Sequence, residues 1–271
     1  MPALSACVIT YNEERNIARC LKSLMFADEI IVVDSFSTDN TVAIAKSFTP
    51  NVIQHEWMGF GPQKNFAFSI AKGDWILTID ADEEVSPDLQ KEILAAVKNP
   101  EDYLVFRTPR KNFIGDFWVK YGSCFPNYPD AEPRLFKKGV AQCHDNLVHE
   151  GLVVKVKDKT FKNHLLHYSY QNLKEYRNSM NYFSKLRGLE LFAEKKPQLI
   201  FRIIFYLPHV VLTFPSYYLW KKGFLMGWMG VRLAYEQTRY VAIKHGLALI
   251  WQITGKTMDE LKPVILAKGR C

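Results

Sequence analysis

Residues 75–84, which read WILTIDADEE, constrain the fold of this chain more than any other stretch. A short apolar run at 75–79 fits a buried strand, and two carboxylates, Asp80 and Asp82, follow at its end. Because ligands of open α/β sheets bind outside the carboxyl ends of the strands, we expect a binding site there. Paired carboxylates suit a hard divalent cation, Mg²⁺ or Mn²⁺, that also holds substrate phosphates. The pattern therefore predicts a nucleotide diphosphate as ligand; the alternative is that both acids cap a helix near Pro87.

The first half of the chain alternates between strand-like and helix-like segments. Apolar runs predict strands at 4–9, 29–33, 51–55 and 75–79, and helical periodicity predicts helices at 13–26, 41–48 and 63–71. Asn12 is the expected N-cap of the first helix, and Glu13 suits its first turn. The alternation predicts an α/β fold with a mainly parallel, doubly wound sheet and flanking helices.

The loops after these strands lack the usual glycine-rich phosphate motifs. A dinucleotide fingerprint needs three spaced glycines after a strand, but Gly59 and Gly61 are followed by Pro62, and a Gly-Lys-Ser/Thr phosphate loop is also missing. An oxidoreductase is therefore disfavoured. Tyr11 can instead stack on a base, and Asp34 can accept a hydrogen bond from a base or ribose. The competing interpretation makes Tyr11 a core residue and Asp34 a turn former.

Three motifs, taken together, resemble the family 2 glycosyltransferases of the GT-A fold. They are residues 8–13, 31–39 and 79–83, which read VITYNE, IVVDSFSTD and IDADE, and the resemblance spans roughly residues 4–155. It implies a Rossmann-like fold that binds a sugar nucleotide, usually a UDP-sugar. It also implies that Asp82 binds the metal. The residues that we assign to the nucleotide-sugar site are Thr10, Tyr11, Asn12, Glu13, Asp34, Lys64, Asp80, Ala81, Arg134 and His149. A solvated helix position is the alternative for Lys64.

The resemblance also implies inversion of the anomeric centre, which needs a carboxylate to deprotonate the acceptor hydroxyl. We favour Glu150 as this base, because a glycine follows it and His149 precedes it. Asp130 and Glu132 compete for the role. Arg134 has a planar fork suited to diphosphate oxygens, although a surface arginine at a strand start is an equal alternative. His149 is either a ligand contact or a structural residue.

Charge divides the chain into two unlike halves. Residues 1–150 hold 15 Lys and Arg against 21 Asp and Glu, a net charge of −6, whereas residues 151–271 hold 20 against 7, a net charge of +13. Such a split predicts an anionic partner for the second half. We place a catalytic domain at 1–167 and a helical, basic and aromatic region at 168–271, with an amphipathic helix at 171–194.

Residues 203–220 run for 18 positions without Lys, Arg, Asp or Glu. That length reaches the lower limit for crossing a bilayer. Pro208 and Pro215 interrupt the run, and its Tyr and Trp residues are typical of a membrane interface. We interpret it as a re-entrant or in-plane segment on an anionic surface, with a buried helical hairpin or a spanning helix as alternatives.

These features predict an enzyme that is peripheral or monotopic at the cytoplasmic face of the inner membrane. Residues 134–136 and 148–150 further resemble lipopolysaccharide core β-1,4-glucosyltransferases, which implies glucose transfer from UDP-glucose to an inner-core heptose of a lipid-linked glycan. No recognised nucleic-acid motif accompanies the basic charge. A polyprenyl-phosphate glycosyltransferase, a nucleotidyltransferase and a non-catalytic sugar-nucleotide-binding scaffold remain alternatives. The sequence leaves the donor sugar, the choice of metal and the oligomeric state open.

Overall fold

The computed structural model describes residues 3–121, 130–143, 152–154, 156–193, 199–257 and 260–261. The candidate residues His149 and Glu150 lie outside these ranges. The chain divides into two compact units. Unit 1 comprises Met1–Asn112 and Tyr128–Ser169, and unit 2 comprises Phe113–Asn127 and Tyr170–Cys271.

Unit 1 is organised around one large sheet. Its strands are β1 (Leu4–Thr10), β2 (Glu29–Asp34), β3 (Val52–Gln54), β4 (Trp75–Asp80), β5 (Glu83–Val85), β6 (Val105–Ile114), β8 (Asp130–Lys137), β11 (Asp158–Thr160) and β12 (Leu165–Tyr170). The main path through the sheet follows the order β3-β2-β1-β4-β8-β6-β12-β5, and β11 pairs with β6. A separate pair joins β9 (Gln142–Cys143) to β10 (Leu152–Val153).

The sheet is mixed, which corrects the prediction of a mainly parallel one. Strands β1 to β4 are parallel, as the alternation with helices predicted. Strand β8 then runs antiparallel to β4 and to β6, and β12 runs antiparallel to β5. Strand β11, by contrast, pairs parallel with β6, so both senses of pairing occur in this half of the sheet.

The described part of unit 1 contains four helices: α1 (Ile17–Ser23), α2 (Thr41–Lys46), α3 (Phe60–Ile70) and α4 (Pro87–Lys98). Helix α4 begins at Pro87, and the Ser86 side chain caps it by accepting from the backbone N–H of Leu89. The alternative in which Asp80 and Asp82 cap this helix is therefore wrong. The expected cap of α1 is also wrong, because α1 begins four residues later than predicted, with Asn16 at its N-cap.

Strand β4 lies between two apolar layers, and the alternation of its side chains determines the face on which Asp80 lies. Leu77 and Ile79 join the core beneath α1 and α4, whereas Ile76 joins the core beneath α3. Because side chains alternate along a strand, Asp80 lies on the same face as Ile76. This alternation directs the Asp80 carboxylate toward the side of the sheet covered by α3.

Unit 2 is mainly helical. The hairpin between the end of β6 and β7 (Phe117–Trp118) is followed by α5 (Leu173–Ala193), α6 (Leu199–Pro215) and α7 (Gly227–Ile253). Both α5 and α6 pack on α7. The predicted amphipathic helix is thus present and begins two residues later than predicted, and residue 194 lies outside the described residues. A π-helix (Ser216–Trp220) and a 3-10 helix (Gly223–Met226) connect α6 to α7.

The aromatic segment predicted to lie at a membrane forms α6 and the π-helix. Within the described ranges, the helices lack the combination of length and apolar character that crossing a membrane requires. The spanning alternative therefore has no support, and the in-plane arrangement stays a prediction. The buried-hairpin alternative fits only one face of α6, because Phe205 and Leu207 are more than 60% exposed.

Candidate functional site

The Asp80 carboxylate is held by two cations at the carboxyl end of β4. Lys64 Nζ lies 2.9 Å from Asp80 Oδ1, and Arg134 Nη1 and Nη2 lie 3.1 and 3.2 Å from Asp80 Oδ2. Lys64 reaches it from α3 and Arg134 from the neighbouring strand β8. Burial by itself would raise the pKa of Asp80, but Lys64 and Arg134 hold that pKa well below its usual range. Asp80 is therefore a permanent anion.

Arg134 also binds a second, fully buried acid. Its Nη2 lies 2.6 Å from Glu83 Oε1, and the other oxygen of Glu83 accepts the backbone N–H of Asp80 at 3.0 Å. Arg110 Nη1 stands 3.7 Å from the same Glu83 and its Nη2 pairs with Glu132 at 2.9 Å. Complete burial raises the pKa of Glu83, and nearby Asp80 adds to this effect, whereas Arg134 opposes it. Glu83 thus ties the guanidinium to the turn that carries Asp80 and Asp82.

Asp82 pairs with a histidine from the far end of the sheet. His167 Nε2 lies 3.1 Å from Asp82 Oδ2, and Nδ1 lies 2.7 Å from Asn112 Oδ1. Strand β12 brings His167 there, because it pairs with β5 in a register that sets His167 opposite Glu83. Burial lowers the pKa of His167, but the Asp82 carboxylate outweighs it, so the pKa is raised.

This Asp82–His167 pair has the chemistry of a divalent-cation site. With Nδ1 donating to Asn112, the neutral imidazole presents the lone pair of Nε2 toward the Asp82 oxygen, and two acceptors then face each other. Either a proton or a metal ion between them removes that conflict. Within the described residues, groups of three or more His, Cys, Asp or Glu suited to a metal are absent. Among the described residues at this edge, Asp82 and His167 form a pair that could contribute to a site for Mg²⁺ or Mn²⁺, with water and phosphate in its remaining positions.

A second part of the site lies at the ends of β1 and β2. In the sheet register Thr10 stands opposite Asp34, and Ile9 stands opposite Asp80, so all three strand ends share one edge. The Asp34 side chain is buried and accepts from the Ser37 backbone N–H at 3.0 Å and from Gln54 Nε2 at 3.2 Å. Thr10 Oγ1 is buried without a hydrogen-bond partner among the described residues. Such an orphan hydroxyl beside a fixed carboxylate suits a polar ligand.

Tyr11 is 39% exposed beside this edge, which excludes the alternative that makes it a core residue. The alternative for Asp34 is partly right, since Asp34 does stabilise the turn through Ser37. Asn12 adopts a positive φ of 53°, and its side-chain carbonyl accepts the backbone N–H of Thr38 at 2.8 Å. Asn12 thus links the loop after β1 to the loop after β2.

A cavity of about 250 Å³ within unit 1 adjoins the charged cluster. Lys64 and Arg134 line it, together with Thr78, Arg107, Glu132, Pro133, Cys143 and Leu152. Arg134 Nε has no hydrogen-bond partner among the described residues. The cavity therefore offers three cationic side chains, those of Lys64, Arg107 and Arg134, to an anionic ligand.

The structure places the remaining candidates as follows. Ala81 is buried in the turn between β4 and β5. The Glu13 backbone N–H donates to Thr41 Oγ1, and its carboxylate accepts from Asn16. Lys64 and Arg134 are buried, so the solvated and surface alternatives for them are wrong. Asp130 begins β8, and Glu132 is half-exposed beside Arg110.

Sequence reasoning missed Glu83, Arg110 and His167. Glu83 had a signal, because it directly follows the two aspartates in the same acidic run. Arg110 and His167 had none. They stand 27 and 84 residues after Glu83 in the chain, and antiparallel pairing alone brings their strands to the site.

Comparisons with known sequences relate this chain to glycosyltransferases. The family described as Glycosyl transferase family 2 matches residues 5–152. An uncharacterized glycosyltransferase of Rickettsia bellii is 35% identical over 213 residues, covering 72% of this chain and 69% of that protein. The lipopolysaccharide core biosynthesis glycosyltransferase LpsC of Rhizobium meliloti is 27% identical over 262 residues, covering 90% and 93%. The structure of S. aureus TarS 1-349 aligns with a TM-score of 0.46 and 15% identity, covering 94% and 92%.

Replacing Glu83 by Gln should destabilise unit 1 strongly. The substitution leaves Arg134 with one anion fewer in a buried cluster, and breaking a buried ion pair costs about 3 kcal/mol. Calorimetric unfolding measures the loss. Glu132→Gln is the matched control, because the Glu132 side chain is 47% exposed and its loss should stay within about 1 kcal/mol. Equal effects of the two substitutions would contradict the role given to Glu83.

Proposed function

This chain is a family 2 glycosyltransferase, and we propose that it transfers a hexose from a UDP-sugar to a lipid-linked glycan with inversion at the anomeric carbon. One observation carries the proposal. Along one sheet edge the chain sets a nucleoside-type pocket at Asp34, an acid held by two cations at Asp80, and a carboxylate–imidazole pair at Asp82 and His167. Base, diphosphate and cation each have a chemically matched partner there.

Nucleoside binding falls to Thr10, Tyr11 and Asp34. The exposed ring of Tyr11 supplies a stacking surface for the base. Asp34 supplies fixed acceptor oxygens, because Ser37 and Gln54 already hold its carboxylate in one orientation. The partnerless hydroxyl of Thr10 gives the same edge a further polar contact. A rigid acceptor beside a stacking ring suits the N–H of uracil or a ribose hydroxyl.

The diphosphate competes with Asp80 for Lys64 and Arg134. Both cations line the cavity, and Arg134 Nε has no hydrogen-bond partner among the described residues. Phosphate oxygens that approach these groups take over part of the charge pairing that Asp80 provides without ligand. Arg134 keeps Glu83 as its second anion throughout, so the guanidinium stays in position while its partner changes.

Asp82 and His167 hold the cation, and Asn112 fixes the imidazole by accepting from Nδ1. A bound Mg²⁺ or Mn²⁺ would stabilise the negative charge of the departing diphosphate. Asp82 supplies one carboxylate, and Mg²⁺ sites for phosphorylated substrates commonly use one or two carboxylates and leave the other positions to the substrate and water.

Glu150 is the proposed base that deprotonates the acceptor hydroxyl. Its role rests on the sequence resemblance, because it lies outside the described residues. Cys143 and Leu152, which flank this segment and pair with each other, both line the cavity shared by Lys64 and Arg134. The described residues on either side of the segment that contains Glu150 thus line the proposed donor site.

The proposed acceptor is the heptose of the lipopolysaccharide inner core, with UDP-glucose as donor. The relative from Rhizobium meliloti bears a name that refers to lipopolysaccharide core biosynthesis, and it aligns over nearly its whole length. Residues 134–136 and 148–150 resemble the glucosyltransferases of that core. A lipid-linked acceptor of this type places the enzyme at the cytoplasmic face of the inner membrane, where it remains peripheral or monotopic.

UDP release from a panel of UDP-sugars tests the reaction. We expect release that requires Mg²⁺ or Mn²⁺, one sugar nucleotide and a heptose-containing deep-core lipopolysaccharide, and that EDTA abolishes. UDP release in the presence of a polyprenyl phosphate, but not of the heptose acceptor, would identify the polyprenyl phosphate as the acceptor instead. Binding of UDP without release across a wide panel would contradict catalysis and favour a sugar-nucleotide-binding scaffold. Release of pyrophosphate would indicate a nucleotidyltransferase.

Removing either proposed cation ligand should disable the chemical step. Asp82→Asn and His167→Ala should each lower turnover at least about a hundredfold, because electrostatic stabilisation of the leaving group is lost. Mn²⁺ binding, measured by electron paramagnetic resonance in the presence of UDP, should weaken in both variants. Asp88→Asn, at an exposed acid in the first turn of α4, is the control. Wild-type Mn²⁺ binding in His167→Ala would remove His167 from the site.

Glu150→Gln should separate catalysis from donor binding. Loss of a general base lowers turnover by about 10²- to 10⁴-fold, whereas UDP affinity should stay close to that of the wild type. Isothermal titration with UDP and a UDP-release assay provide the two readouts. Collapse of UDP affinity would show that Glu150 contributes to the donor site, and full activity would direct the search for the base to Asp130 or Glu132.

A further inference from the structure

Helix α6 in unit 2 has an apolar face that no described residue covers. Ile204, Phe205, Leu207, Val211 and Leu212 are each between 56% and 67% exposed. At 100° per residue these positions fall within about half of the helix circumference. Thr213, on the opposite face, is buried, and α6 packs on α7. One side of α6 therefore belongs to the helical core, and the other side is apolar and open.

The same open surface continues through the connection to α7. Leu219, Trp220, Phe224, Leu225 and Trp228 are exposed, with Trp220 at 74% and Trp228 at 69%. We name the ten residues of these two groups the α6–α7 apolar face. Exposed apolar patches of this extent on a soluble protein mark an interaction surface.

The side chains beside this face are of the aromatic and basic types that are found at membrane interfaces. Lys221 Nζ lies 3.9 Å from the centre of the Tyr217 ring, and the Arg232 guanidinium lies 5.3 Å from the centre of the Trp228 ring. Trp and Tyr concentrate at the headgroup level of bilayers, where basic side chains reach the lipid phosphates. The face thus combines an apolar surface with aromatic and cationic groups at its edge.

Charge distinguishes a bilayer from a second copy of the chain. Residues 199–235 contain no Asp or Glu but hold Arg202, Lys221, Lys222 and Arg232. Two such surfaces brought together would set like charges against each other, whereas an anionic lipid surface attracts each basic residue. Within the described ranges, helices suited to crossing a membrane are absent, so insertion would be shallow and parallel to the surface.

We propose that the α6–α7 apolar face inserts into the headgroup region of an anionic bilayer and anchors unit 2 there as a monotopic element. The proposal deepens the membrane part of the proposed function and rests on it only for the identity of the membrane. Its physical basis, an acid-free apolar surface with aromatic and basic edges, is independent of the donor, the cation and the base.

Vesicle binding by the full chain, without donor or acceptor, tests this anchor. Cosedimentation is measured with vesicles of equal parts phosphatidylglycerol and phosphatidylethanolamine, and with phosphatidylcholine alone. Wild-type protein should bind the anionic vesicles more tightly. The double substitution Trp220→Ser with Trp228→Ser should lower partitioning at least about tenfold, because two inserting aromatic side chains are lost.

A matched double substitution controls for general surface change. Met25→Ser with Leu94→Ser replaces two exposed apolar side chains of unit 1 and should leave vesicle binding unchanged. Lys221→Glu with Lys222→Glu should remove the preference for anionic lipid. Equal vesicle binding by the tryptophan variant and the wild type would overturn the proposal. So would self-association in analytical ultracentrifugation that the tryptophan substitutions abolish, because a second copy would then cover the face.

A different measurement, UDP release, tests the catalytic proposal. UDP release toward acceptor dispersed in detergent should be the same in the wild type and in the tryptophan variant, since neither Trp220 nor Trp228 belongs to the site in unit 1. Vesicle binding without any UDP release would preserve the anchor and overturn the reaction. UDP release without vesicle binding would preserve the reaction and overturn the anchor.

Discussion

The buried guanidinium of Arg134 is the interaction on which the site depends. It touches Asp80 with two nitrogens and Glu83 with one, and its side chain is 3% exposed. Charges without counter-charges are expensive in a protein interior, so none of these three groups is stable there alone. Lys64 supplies a second cation to Asp80, and Arg110 extends the same balance to Glu132. The charged side chains at the carboxyl end of β4 are consequently held in place by their ion pairs.

In the proposed function, ligand binding would use the same side chains that balance charge in the fold. A diphosphate would bring negative charge to Lys64 and Arg134, and a divalent cation would bring positive charge to Asp82 and His167. Each addition alone would disturb the pairing of the buried groups, whereas the two together preserve it. Glu83 keeps its contact with Arg134 and with the Asp80 backbone in either state, which gives the turn between β4 and β5 a fixed frame.

The parallel half of the sheet and its strand ends were predictable from local sequence. Apolar runs located β1 to β4, and acids at or just after the ends of β2 and β4 indicated Asp34, Asp80 and Asp82 as candidate site residues. The mixed half of the sheet was not predictable, because antiparallel pairing between β8, β6, β12 and β5 depends on contacts far apart in the chain. His167 and Arg110 reach the candidate site through those strands, so no local sequence pattern predicted them. Asn12 shows a smaller error of the same kind, since an expected helix cap instead bridges two loops.

The location of a bound manganese ion tests the central claim most directly. Anomalous diffraction from crystals of the full chain grown with Mn²⁺ and UDP would give the position of the ion and of both phosphates. The account predicts manganese bound by Asp82 and His167, with Lys64 and Arg134 in contact with diphosphate oxygens and Glu83 still bound to Arg134. Manganese away from both Asp82 and His167, or a diphosphate that leaves the Lys64 and Arg134 contacts to Asp80 unchanged, would contradict it.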